Sequence, residues 1–91
     1  MSQIQASAQV LAQYALDLNV FINNVSHKLV DLMNYHKKVG NNWQDDLYVQ
    51  FGGEIEKVKN LMLIELQQLE ELKKVVSKKA EELAELEKTQ F

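Results

Sequence analysis

The sequence contains no cysteine, no proline and no arginine, and only three glycines in 91 residues. Without cysteine there is no disulfide, no thiolate zinc site and no cysteine nucleophile. Without proline, nothing in the chain forbids long helices. The longest purely apolar run is Leu61-Met62-Leu63-Ile64, far short of the ~20 residues of a membrane span, so stable membrane insertion is not expected. Nucleic acid is not an expected partner either: the net charge is −3, and bidentate arginine contacts to phosphate are impossible. The opening Met1-Ser2-Gln3-Ile4-Gln5 carries no basic residue and leads into no compact apolar segment, so a cleavable secretory signal is not expected.

What the sequence does contain is helical periodicity, broken once. Ile4, Ala8, Leu11, Ala15, Leu18, Ile22, Val25, Leu29, Leu32, His36 and Val39 alternate spacings of four and three, the seam of a helix packed along its length against another. A flanking row, Tyr14, Phe21, Lys28 and Tyr35, widens the apolar stripe beyond what one partner helix covers. The break is Gly40-Asn41-Asn42-Trp43-Gln44-Asp45-Asp46, with Gly40 read as a left-handed helix end and Asn42 as the N-cap of the next helix. Beyond it one row, Ile55, Met62, Leu69, Val76 and Leu83, repeats every seven residues. A second row, Phe51, Val58, Glu65, Leu72, Lys79 and Leu86, does so with two polar lapses.

The fold class predicted is all-α: a single domain over residues 1–91, with a helix over about 4–39, a turn at 40–42 and a helix over about 43–88. Gly52-Gly53 weakens the second helix, since each glycine costs roughly 1 kcal/mol relative to alanine. The pair marks a kink, a close approach of the other helix, or a helix that starts only at Glu54 and leaves residues 47–51 as a short strand or loop. Outward Glu and Lys residues fall three or four apart: Glu54 with Lys57, Glu56 with Lys59, Glu70 with Lys74, Lys78 with Glu82 and Glu85 with Lys88.

Charge divides unevenly. Residues 1–27 hold one formal charge, Asp17, whereas residues 54–88 hold most of the Glu and Lys. A hairpin of this size buries one seam, so the surplus apolar width of the first helix predicts a partner. Tyr14, Phe21 and Tyr35 are the expected dimer interface in an antiparallel four-helix arrangement.

Chemistry is hard to place on this chain. His27 and His36 are half a rotation out of phase, and His27 with Asp31 lacks a third ligand at helical spacing. Asp45 and Asp46 suit a helix N-terminus, and Ser26 and Ser77 have no nearby base. No catalytic, metal or cofactor-binding residue is therefore assigned, and no enzymatic activity is expected. Trp43 is either a plug that fixes the turn or an exposed aromatic anchor for a partner.

A chain of this length, with two amphipathic helices joined at mid-chain and a tryptophan at the head of the second, resembles the early secreted antigen family defined by a Trp-X-Gly turn. Trp43 stands for the family tryptophan and Phe51 for the aromatic residue that follows one to two turns later. The triplet here is Trp43-Gln44-Asp45, and the nearest glycine is Gly40, before the bend. The tail has no tyrosine one turn before an acid, which is the export pattern in that family. The resemblance implies a helical hairpin that forms homo- or heterodimeric four-helix bundles, with Gly40, Asn42, Trp43 and Phe51 at the turn. It implies a partner that is a related small helical protein or a larger toxin secreted by the type VII route. The competing expectation is a coiled-coil adaptor that stays in the cytoplasm.

Overall fold

A computed structural model describes residues 7–88, which form two long helices joined by a short turn: α1, Ala8–Val39, and α2, Asp46–Lys88. The helices run antiparallel in a rod of 69 × 20 × 17 Å, and no strand occurs among the described residues. The start of α1 is set by Ser7, whose extended backbone (φ −81°, ψ 160°) lets its side chain accept the Val10 N–H at 3.1 Å. The helix thus begins at Ala8, later than the sequence suggests. Ile4, where the periodicity starts, lies outside the described residues. A second free donor at this end, the Ala8 N–H, reaches across to the Glu87 carboxylate at 3.3 Å, so the far end of α2 helps to cap α1.

On α1, Ala8, Ala15 and Ile22 are buried, and Leu29 and His36 continue their row half-buried. The other predicted row, Leu11, Leu18, Val25, Leu32 and Val39, is no deeper than half-buried, and Leu32 is exposed. The contact side extends instead toward Asn19, Ser26, Met33 and Gly40.

The seam of α2 corrects the sequence reading by one residue. Of the predicted row, Ile55, Leu69, Val76 and Leu83 are half-buried toward α1, whereas Met62 is exposed. Their companion row, however, is Gly52, Lys59, Leu66, Lys73 and Ala80, with Leu66 and Ala80 buried. Phe51, Val58, Leu72 and Leu86 stand exposed on the flank. The row that packs admits two lysines among its five members because lysine can lay its methylenes against the neighbouring helix and keep its ammonium at the edge. Lys73 does this, donating to Asn19 Oδ1 at 2.9 Å across the seam while pairing with Glu70 on its own helix.

Four ion pairs line α2: Lys57 with Glu54, Lys59 with Glu56, Lys73 with Glu70 and Lys74 with Glu71. All are three residues apart. Glu70 and Lys74 pair with Lys73 and Glu71 instead of with each other, and among the described residues no ion pair joins Lys78 to Glu82 or Glu85 to Lys88.

Residues 47–51 are helical, so the short-strand alternative is overturned, and so is a helix start at Glu54. The two glycines inside α2 differ in kind. A Cβ on Gly52 would stand 2.8 Å from His36 Nε2, so this glycine lets a side chain of α1 lie against the α2 backbone. A Cβ on Gly53 would meet nothing within 4 Å. Gly53→Ala is therefore expected to stabilise the hairpin by about 1 kcal/mol through helix propensity alone. Gly52→Ala gains the same propensity but must displace the His36 ring. Urea unfolding followed by circular dichroism should rank Gly53→Ala above Gly52→Ala.

Candidate interaction site

The bend is held by an aromatic cluster that both helices supply. The Tyr48 ring stacks on the His36 imidazole, with centroids 4.1 Å apart and planes 4° from parallel. Phe51 meets the same imidazole edge-on at 6.2 Å, and Trp43 meets Tyr48 edge-on at 5.7 Å. Such pairs contribute about 1 kcal/mol each beyond the area they bury. The Tyr48 hydroxyl donates to the His36 carbonyl at 2.8 Å, a carbonyl in the last turn of α1 that also accepts the Gly40 N–H at 3.1 Å.

Gly40 is buried beneath the Tyr48 ring. Its backbone is right-handed helical (φ −60°, ψ −19°), so the expected left-handed helix end does not occur. Its lack of a side chain matters for space: a Cβ there would lie 2.8 Å from Tyr48 Cζ. Asn42 is likewise not a cap. It sits exposed in the turn with its N–H on the Val39 carbonyl. The N-cap of α2 is Asp45, whose carboxylate accepts the Tyr48 N–H at 3.1 Å. Trp43 therefore precedes α2 instead of opening it. It is half-buried, and a hydrogen bond from its side chain, with the Tyr48 amide second, holds Asp45 below the ordinary carboxylate pKa. Trp43 thus braces the cap and the bend, while part of its ring stays accessible.

The chain matches no known family model, no curated protein and no solved structure.

Beyond the bend, one face of the rod carries apolar side chains from both helices. Leu32 and Val39 of α1 line a groove of about 560 Å³ together with Trp43, Phe51 and Val58, which places the outer rows of the two helices on the same face. Along α1 this face continues through Tyr14, Phe21 and Tyr35, which are 48%, 53% and 66% exposed. Along α2 the heptad row of Val58 continues through Leu72 and Leu86, also exposed. The three residues expected at a dimer interface and the turn aromatic Phe51 are thus brought to one side.

His27 and Asp31 are exposed, and the Ser26 hydroxyl donates to the Ile22 carbonyl. Among the described residues no group of three or more His, Asp or Glu could hold a metal, and no helix is long and apolar enough to cross a membrane. Tyr48, the residue on which the bend closes, was not singled out from the sequence. Its signal was its position four residues before Gly52 and three after Asp45, on the α2 face toward His36.

Two outcomes are expected at the bend. Tyr48→Phe removes one hydrogen bond and keeps the stack, a loss of about 1 kcal/mol in urea unfolding. Asp45 has a depressed folded-state pKa, so its contribution to stability is fully present above the ordinary value of 3.8 and is lost as pH falls through the lower folded value. Melting temperatures of wild type and Asp45→Ala should therefore differ at pH 7, with wild type higher, and begin to converge only as pH falls below 3.8.

Proposed function

We propose that this chain is a non-enzymatic interaction module, one half of a four-helix bundle completed by a second small helical chain. The observation that supports this most directly is the continuous exposed apolar face shared by α1 and α2, with Tyr14, Phe21, Tyr35, Phe51 and Leu72 all uncovered in the single chain. An exposed apolar surface of this extent on a thin rod marks a docking surface. A partner that covers it turns each half-buried row into a core row.

The resemblance to the Trp-X-Gly secreted antigens extends this reading to a role as a type VII substrate or as the adaptor half of a secreted pair. Two features support it: Trp43 beside a mid-chain bend, and Phe51 on the adjoining face. The partner is then a related small helical protein or a larger secreted toxin. The ion pairs along α2, Lys57–Glu54 and Lys74–Glu71 on its solvent side and Lys59–Glu56 and Lys73–Glu70 at the seam's edge, favour a second reading, a coiled-coil adaptor or assembly subunit that remains in the cytoplasm.

The deciding experiment expresses the tagged chain in its native host, partitions it between cells and medium beside a lysis marker, and identifies what co-purifies. Appearance outside without lysis, bound to a small helical chain or a toxin, is the outcome expected from the secretion reading. Retention with a cytoplasmic complex selects the adaptor. Co-purification unchanged by Phe21→Glu would remove the apolar face from either role.

A further inference from the structure

The exposed row of α2 contains two charges that a purely apolar docking strip would not need. From Val58 to Leu86 it runs Val58, Glu65, Leu72, Lys79, Leu86. Among the described residues neither Glu65 nor Lys79 has an ion-pair partner, and both are exposed. Glu65 lies seven residues before Leu72 and Lys79 seven after, each about 10 Å away along the axis. Read backwards, the row reproduces its own pattern with the charges exchanged: Val58 answers Leu86, Glu65 answers Lys79, and Leu72 answers itself.

We infer that a second copy of this chain occupies the apolar face between Val58 and Leu86, packed antiparallel with its two-fold axis passing beside Leu72, so that Glu65 of each copy pairs with the partner's Lys79. This rests on the interaction-module reading above and adds the partner, the orientation and the register. A two-fold interface requires that residue i meet j while j meets i, and this row satisfies that condition at all five positions. Leu72 then packs on the partner's Leu72, and Val58 on the partner's Leu86. The two ion pairs are symmetric, so both charges on the strip are compensated at once.

Packing with both bends at the same end does not achieve this. It would set Lys79 against the first turns of α1, at Leu11 and Tyr14, because Ala8 lies beside Glu87 and Asn19 beside Lys73. The one acid in residues 1–30 is Asp17, which accepts a hydrogen bond from Gln13.

The area is sufficient. With the axis at Leu72, α2 overlaps its copy from Glu56 to Lys88, about 50 Å of helix. On a rod 20 Å wide this buries on the order of 1,000 Å² per copy, above the ~800 Å² per partner of a standard stable interface. The bend, with Trp43 and Tyr35, lies past the end of this overlap.

The test exchanges the charges. Glu65→Lys and Lys79→Glu are made singly and together, and the dimer dissociation constant is measured by sedimentation equilibrium. Both sites are exposed in the single chain, and far-UV circular dichroism verifies that each variant keeps its helices. Each single variant faces like charge with like charge twice and is expected to dimerise at least about tenfold more weakly than wild type. An equimolar mixture of the two singles restores opposite pairing and is expected to form a heterodimer of near wild-type affinity, as is the double variant with itself. Single variants that dimerise as tightly as wild type, or a mixture no tighter than its components, overturn the register and leave the interaction-module reading standing. A wild-type chain that is monomeric at about 100 µM overturns the second copy as occupant. Capture of a different helical chain that is lost with Phe21→Glu would then keep the module reading. The module reading itself fails if no chain binds in a Phe21-dependent way.

Discussion

Two helices lying side by side can bury one strip of each, and the apolar stripe of this chain is three rows wide. Most of the structure follows from that mismatch. The inner rows settle against each other and bury only small or medium side chains, Ala8, Ala15, Ile22, Leu66 and Ala80. The aromatic side chains Phe21, Tyr35 and Phe51 are left on the surface. Small residues at the seam let the helices approach closely. Close approach in turn pushes the outer row of each helix past the line of contact, onto a common face. The geometry that makes the hairpin tight is the same geometry that leaves these side chains exposed.

The bend solves a different problem, that of reversing direction without proline and without a left-handed residue. No described residue has a positive φ, so the turn is held by side chains. Tyr48 reaches back over Gly40 to the His36 carbonyl and lays its ring on the His36 imidazole, joining the last turn of α1 to the first turn of α2. Gly40 and Gly52 provide the space for this, one under the tyrosine and one under the histidine. Asp45 and Trp43 then fix where α2 begins. A tryptophan in this place has a structural duty in the single chain, bracing the cap and the bend, while part of its ring stays accessible.

The architecture was legible in the sequence because its periodicity is long and its one break is sharp. Two helices, their order and the mid-chain bend all follow from the alternating spacing of four and three and from Gly40. The details that were misread share a cause. Reading apolar letters alone chose Phe51, Val58, Leu72 and Leu86 over Gly52, Lys59 and Lys73 for the inner row, because hydropathy does not register a lysine lying on its methylenes or a glycine chosen for its emptiness. Asn42 outranked Asp45 as a cap because a cap is defined by where the backbone leaves the extended region, which composition does not display. Gly40 was read for its conformational freedom when its use is steric. The aromatic face of α1 was visible, since Tyr14, Phe21 and Tyr35 repeat at seven. That it would coincide with the outer row of α2 depends on how the two helices rotate against each other, which is a tertiary fact.

Register is the remaining problem for a molecule built from repeats of seven, since sliding one helix by a heptad costs little when every row is apolar. Within the hairpin the answer is polar: the Lys73 ammonium on Asn19 and the Glu87 carboxylate on the Ala8 amide exist at one alignment only. The exposed row of α2 carries the same kind of device. Glu65 and Lys79 make an apolar strip less sticky in the free chain, since charges on it are well hydrated, and a heptad slip across the strip would set each charge against an apolar side chain. Polar interruptions of this sort trade some association energy for a single alignment. Their placement seven residues either side of Leu72 makes that alignment one in which a second copy of the same sequence is its own complement.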